Sequence, residues 1–296
     1  MNGFLFTVNE RLCPVVKPFD FTKNSTIACG GYARIAFYPE TFSQMQTLLN
    51  KFAETKTPYY VVGNLSNVLP ADGEIARVIV CTKRMCKVQA EGEFLFAESG
   101  VMSGKLLQSC LKYSLSGAEF LTGIPCTLGG ALYMNAGVAG NYIAKIVESL
   151  TVLHDGKIIE MPVKDCEYAY KSSVFMHSGD CILGAKLRLC SDSKERILGN
   201  IKEYAKRREH LPKGKSMGCV FKNPPNVSLS AGALIEGAGL KGLRIGRAVV
   251  SNAHANFILN EGGATAQEIR TLIGVVKNAV YAQYKVRLEE EIRYLQ

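Results

Sequence analysis

Residues 123–140 read GIPCTLGGALYMNAGVAG, with Gly123, Gly129, Gly130, Gly137 and Gly140 set among Pro125, Thr127 and Asn135. This stretch constrains the fold more than any other. Glycine has no Cβ, so a run this dense in it lets another group press directly on the main chain. That group is either a ligand or a sheet on which a helix packs tightly. Packing has no need of Gly, Thr and Asn together, which favours the ligand. The spacing is neither that of a Walker loop nor that of a G-x-G-x-x-G fingerprint. A second segment, VVGNLSNVLP at 61–70, reads as a strand running into a turn of Gly63, Asn64, Ser66 and Asn67. Amides and hydroxyls in such a turn can face a phosphate, although an ordinary strand-end turn has the same composition.

The 296 residues suffice for about two domains and a substantial core. With 47% apolar and 21% charged residues the mix is ordinary for a globular chain. No run approaches the roughly 18 apolar residues of a membrane helix. The opening MNGFLFTVNERLCPVV has no basic n-region and an early acidic residue, so it does not read as a signal peptide. A cytoplasmic location is expected. Ten cysteines stand singly between Cys13 and Cys219, without C-x-x-C pairs or zinc spacing. Free, mostly buried thiols are expected, and no metal site. The net charge of +9 suits anionic partners. The basic residues are dispersed and no nucleic-acid motif is present, so small anionic molecules are favoured over nucleic acid.

Apolar spacing predicts helices over 41–54, capped by Thr41, and over 101–114, burying Leu106, Leu107, Cys110 and Leu111. Strands are expected at 58–62 (buried), 77–81, 93–97 and 181–190. A hairpin is expected at Asp155-Gly156. Residues 191–210 read as a polar connector helix, which places a domain boundary near 193. Thr265 and Glu268 form a capping box for a helix over 266–284, with Ile269, Leu272, Ile273, Val276 and Val280 as its apolar face. VRLEEEIRYL closes the chain as a strand, with Val286, Leu288, Ile292 and Tyr294 on one face and Arg287, Glu289, Glu291 and Arg293 on the other.

GIPxTxGGAxxMNAG resembles the flavin-binding signature of the UDP-N-acetylenolpyruvoylglucosamine reductase (MurB) family. Further matches follow in family order: CGGYARIAFYPET (29–41), SNVL (66–69), YKSSVF (170–175), GCVFKNPP (218–225), SAGALIEGAGLKG (230–242), HANFILNEGGAT (254–265) and LEEEIR (288–293). The resemblance spans residues 25–296. It implies an α+β protein: an N-terminal segment (1–28), an FAD-binding domain of the vanillyl-alcohol-oxidase (PCMH) type (29–193), and a MurB-type α+β UDP-sugar-binding domain (194–296). The short span after Phe175 is similar to the shorter family type, without a tyrosine-bearing lid.

The implied activity is NADPH-dependent, FAD-mediated reduction of UDP-N-acetylglucosamine enolpyruvate to UDP-N-acetylmuramate, a step of peptidoglycan precursor synthesis. The reaction needs a proton donor and a partner for the substrate carboxylate and its enolate. The family's arginine, serine and glutamate fall here on Lys171, Cys219 and Glu291. Lys171 keeps the charge without the planar fork, and Cys219 offers a thiol where a hydroxyl is usual. Each also has a bland reading, as an exposed lysine, an inert thiol and a solvated carboxylate. FAD contacts are expected from Gly63, Asn64, Ser66, Asn67, Gly123, Ile124, Pro125, Thr127, Gly129, Gly130 and Ala131. Lys222 and Asn223 match positions near the UDP-sugar, or else form a local turn network. Ala28 stands where a basic residue is common, and Cys126 where glycine is. The basic run Lys206, Arg207, Arg208, Lys213 and Lys215 fits a diphosphate or, at least as well, a solvated helix face. His254 reads as a structural hydrogen-bonding residue. A monomer without a membrane partner is expected. The alternatives are an FAD-binding paralogue with altered or lost activity and a flavin oxidase, against which the HANF and FKNP segments argue.

Overall fold

The computed structural model describes residues 12–138 and 140–296. Residues 1–11 of the expected N-terminal segment lie outside that range. The chain forms two compact units that interleave in sequence. The first takes the described residues up to Val16, Ile35–Asn64 and Arg77–Glu209; the second takes Lys17–Arg34, Leu65–Ala76 and His210–Gln296. The linear division near 193 therefore differs from the packing. The helix Lys194–Arg207 is the reason. Its apolar stripe is thin but not exposed: Ile197 is fully buried, and Ile201 and Tyr204 pack on the core of the first unit. It is docked on the first unit and leads into the second at His210.

The first unit is built on two sheets. One has the strands Val15–Val16, Ala36–Phe37, Val78–Cys81 and Tyr59–Val62 in that order. The strand expected to be buried at 58–62 is at the edge of this sheet, which is why Val61 is exposed. The helix Phe42–Glu54 buries Met45, Leu48, Leu49 and Phe52, and Thr41 caps it by accepting from the Gln44 amide. The other sheet is antiparallel, in the order Lys157–Pro162, Val147–His154, Cys181–Arg188, Phe94–Glu98, Val88–Glu91. Its hairpin turns at Asp155-Gly156, both at positive φ (44° and 74°), the conformation a two-residue turn of this kind requires. The helix Ser103–Tyr113 buries Leu106, Leu107 and Cys110, while Leu111 is only half-buried.

The second unit has a four-stranded antiparallel sheet, in the order Ser216–Cys219, Phe257–Asn260, Ala248–Val250, Arg244–Ile245. The helix Ala266–Tyr284 buries the whole predicted apolar face, and its capping box is complete. Buried Asn260 accepts from the amides of Gly262 and Ala264 and donates to the carbonyls of Ile27 and Ala28. That bond helps hold Ala28 at φ 49°. At the C-terminus only Arg293–Leu295 is a strand, paired in parallel with Val68–Pro70. Residues 286–292 are not a regular strand, yet Leu288 and Ile292 are buried and Arg287 and Glu289 exposed. Isolated backbone bonds to 220–222 keep the alternation without a continuous ladder.

Candidate active site

In the first unit the two small-residue segments meet. Thr127 caps the short helix Leu128–Tyr133, accepting from the Gly130 amide. A Cβ on Gly63 would stand 2.1 Å from Thr127 Oγ1, so only glycine admits this approach. Asn64 Nδ2 donates to the Pro125 carbonyl at 2.8 Å. Gly129 lies as closely on Ser99: its amide donates to the Ser99 carbonyl at 2.8 Å, and a Cβ there would meet the Ser99 Cβ at 2.9 Å. Ala131 is turned into the core, and Ile124 packs on it. Arg208 lies over Gly123, with Nε 3.1 Å from where a Cβ would be. Of its basic neighbours, Arg207 is paired with Glu203. Cys126 is buried, and burial pushes its thiol up to about 12, which makes it inert.

Two features mark these segments as a place for a ligand. Among the described residues, no acceptor takes the amide hydrogens of Gly63, Asn64, Leu65, Ser66 and Asn67. The buried hydroxyls of Ser99 and Thr122 likewise lack a partner. The buried hydroxyls are costly to leave unsatisfied, and a successive run of amides suits an anion.

Lys171, half-buried, sits in a tight turn of the same unit at φ 53°. Ala169 and Ser172 close the turn by exchanging backbone hydrogen bonds at 3.2 Å. The glycine-rich segment anchors it from both sides: Asn135 Nδ2 donates to the Ala169 carbonyl at 2.8 Å, and Ser173 Oγ donates to the Tyr133 carbonyl at 2.7 Å. Lys171 is thus tied to the segment that carries Thr127, Gly129 and Gly130.

The second unit gathers another set. The Glu291 amide donates to the Val220 carbonyl at 2.8 Å, and the Lys222 amide to the Glu289 carbonyl at 2.8 Å. Asn67 Nδ2 donates to the Glu291 carbonyl at 3.0 Å, and the Arg293 amide to the Asn67 carbonyl at 2.9 Å. The Ser66-Asn67 turn, Cys219 and Glu291 therefore stand on adjoining backbones. Cys219 is half-exposed. The three successive glutamates differ. Glu289 pairs with Lys222 Nζ at 2.5 Å on the surface. Glu290 accepts from Lys277 and from the Tyr294 hydroxyl, each at 2.6 Å. Burial works to raise the Glu290 carboxyl, but these two bonds outweigh it and hold it below the usual range. Glu291 is half-buried. Asn223 Oδ1 accepts from the Ala231 amide, at the start of the helix Ala231–Gly237.

A family model described as an FAD binding domain matches residues 33–162, and one described as the C-terminal domain of UDP-N-acetylenolpyruvoylglucosamine reductase matches 209–295. The UDP-N-acetylenolpyruvoylglucosamine reductase of Clostridium novyi is 38% identical over 97% of this chain and 95% of that one. The enzyme of the same name from Alkaliphilus oremlandii is 37% identical over 92% and 90%. The chain belongs to the UDP-N-acetylenolpyruvoylglucosamine reductase family. A crystal structure of the reductase (MurB) from Thermus caldophilus matches it with a TM-score of 0.82 at 32% identity, covering 95% of this chain and 99% of that one.

FAD, the cofactor of this reductase family, fits the residues present. The amides of 63–67 suit a diphosphate, and the close contacts of Gly63 on Thr127 and Gly129 on Ser99 hold the two segments in place. Sequence reasoning missed Ser99, and it passed over Asn135 and Asn256 as anchors. Both asparagines stand in quoted motifs, MNAG and HANF, but nothing local shows which distant peptide they hold.

Proposed function

We propose that this chain reduces the enolpyruvyl group of UDP-N-acetylglucosamine enolpyruvate, giving UDP-N-acetylmuramate, with Lys171, Cys219 and Glu291 as its working residues. By family it is a flavin-dependent oxidoreductase of peptidoglycan precursor synthesis that uses FAD, NADPH and a UDP-sugar. FAD, when bound, would carry a hydride, that is two electrons and one proton, from NADPH to one carbon of the double bond. Net reduction also adds a proton, and the carboxylate beside that bond gathers negative charge as it reacts. In this reading Cys219 Sγ–H delivers the proton, Glu291 steadies the carboxyl group or its enol, and Lys171 offsets the charge. The Gly63–Asn67 turn and the Gly123–Ala131 segment hold FAD without a covalent link. Lys222 exchanges Glu289 for the anionic substrate beside Asn223. The observation that carries the reading is the set of hydrogen bonds tying Asn67 to Glu291 and Glu291 to Val220, the residue after Cys219.

Among the described residues no helix is long and apolar enough to cross a membrane. A cytoplasmic monomer is part of the proposal. The test is NADPH consumption with and without the enolpyruvyl UDP-sugar. Purified protein should be yellow, release FAD on acid precipitation, and consume NADPH in step with substrate. A colourless protein that FAD cannot reconstitute would overturn the reading. NADPH loss that follows oxygen and ignores the sugar would point to an oxidase.

Lys171→Met should lower kcat by about a hundredfold, the usual scale for one charge-stabilising group, with little change in thermal midpoint. Lys171→Arg should equal or exceed the parent, because a planar fork can hold two oxygens together. Parental turnover in Lys171→Met would make the lysine a bystander.

A further inference from the structure

We propose that Asn256 is a positioning residue for proton transfer: its buried side-chain amide fixes the Phe221 peptide, and with it the placement of Cys219 and Glu291. The proposal rests on the roles assigned above to those two residues. The strand Ser216–Cys219 pairs with Phe257–Asn260, and the register ends at Cys219 opposite Phe257. Beyond that point the ladder is continued by a side chain. The Val220 amide donates to the Asn256 carbonyl at 2.9 Å. The Phe221 amide then donates to Asn256 Oδ1 at 2.9 Å, and Asn256 Nδ2 donates to the Phe221 carbonyl at 2.8 Å. The carboxamide thus stands in for a peptide unit of a neighbouring strand.

On the other edge of the same three residues run Glu289–Glu291. The Glu291 amide meets the Val220 carbonyl, the Lys222 amide meets the Glu289 carbonyl, and Phe221 bridges to Glu290. Residues 220–222 are therefore clamped between Asn256 and the segment bearing Glu291. Asn256 is only 4% exposed, and both ends of its amide are engaged with Phe221. Its influence on a substrate has to pass through that peptide. Among side chains of this size only asparagine offers a donor and an acceptor in peptide geometry. Aspartate lacks the donor and leucine lacks both.

Proton transfer needs donor and acceptor within about 2.6–3.2 Å, and a displacement of about 1 Å can cost about a hundredfold in rate. Asn256→Asp should bind FAD and be reduced by NADPH within about twofold of the parent. Reoxidation of the pre-reduced enzyme by the enolpyruvyl UDP-sugar should be slower by about ten- to a hundredfold. A protonated carboxyl restores the missing donor, and burial favours protonation. The ratio of this variant's reoxidation rate to that of the parent should accordingly recover as pH falls from about 8 to about 6. Asn256→Leu should be slow in the same half-reaction and should show no such recovery.

Parental reoxidation rates in both variants, or equal losses in both half-reactions, would overturn the positioning role. Should the aspartate variant not accumulate, Asn256→Ser asks the same question, since it is smaller and can make one of the two bonds. Selective loss of reoxidation supports the proposal and uniform loss overturns it. Cys219→Ala, run alongside, separates the two ideas. If it reoxidises at the parental rate, the role of Cys219 falls. If it is slow while the Asn256 variants are not, only the positioning role falls.

Discussion

Cys219→Ala is expected to slow reoxidation of the pre-reduced enzyme by substrate by about two to four orders of magnitude, the range for loss of one acid catalyst. A thiol, with a reference pKa of about 8.5, is a far stronger acid than an alcohol, so it can protonate a developing carbanion as long as it remains a thiol. Cys219→Ser should retain substantial activity. Accessibility provides an independent measurement. Seven of the ten cysteines are buried, and Cys190, Cys86 and Cys219 are exposed or half-exposed. A thiol reagent should label these three and inactivate the enzyme, and substrate should protect Cys219 alone. Rapid mixing decides the matter. If Cys219→Ala reoxidises its flavin as fast as the parent, another group donates the proton.

Glu291→Gln should slow the same half-reaction by about a hundred- to a thousandfold, the scale seen when one group aimed at developing charge is removed. FAD content and reduction by NADPH should stay near parental levels. The substitution is nearly isosteric, and the backbone bonds of residue 291 to Val220 and Asn67 do not involve its side chain. These bonds therefore survive the substitution, and a selective loss does not come from breaking them. Glu289→Gln is the control, since its carboxylate sits on the surface with Lys222, and its effect should be confined to substrate affinity. Failure of flavin reduction in Glu291→Gln, with normal turnover by pre-reduced enzyme, would show that the role is misassigned.

Much of the proposed site is legible as residue types. The glycine-rich segment, the Gly63–Asn67 turn and the candidates Lys171, Cys219 and Glu291 all stand in recognisable motifs. Their surroundings are not legible in that way. Three consecutive glutamates carry the same charge on paper, and only packing gives Glu290 to Lys277 and Tyr294 and Glu289 to Lys222. Asn135 and Asn256 look alike in sequence. One holds the Lys171 turn through Ala169, and the other continues a sheet at Phe221. Asn223 matched a substrate position, yet its oxygen accepts from the Ala231 amide.

What the sequence determined by itself is what neighbours in the chain decide. The Thr41 cap, the capping box of Thr265 and Glu268, the turn at Asp155-Gly156 and the buried stripe of the last long helix depend on spacings of four residues or fewer, or on a repeat of such spacings. These features stand in the structure as read. The tertiary structure decided everything that depends on partners far apart in sequence. It assigned the helix Lys194–Arg207 to the first unit, because Ile197 is buried in the core there. It sent Lys17–Arg34 and Leu65–Ala76 to the second unit, where Asn260 binds the carbonyls of Ile27 and Ala28. It also shortened the terminal strand to Arg293–Leu295, because 286–292 take their backbone partners singly rather than as a ladder. Alternating burial is a property of one strand and shows in its sequence; the choice of which distant backbone satisfies its hydrogen bonds is made only when the whole chain has packed.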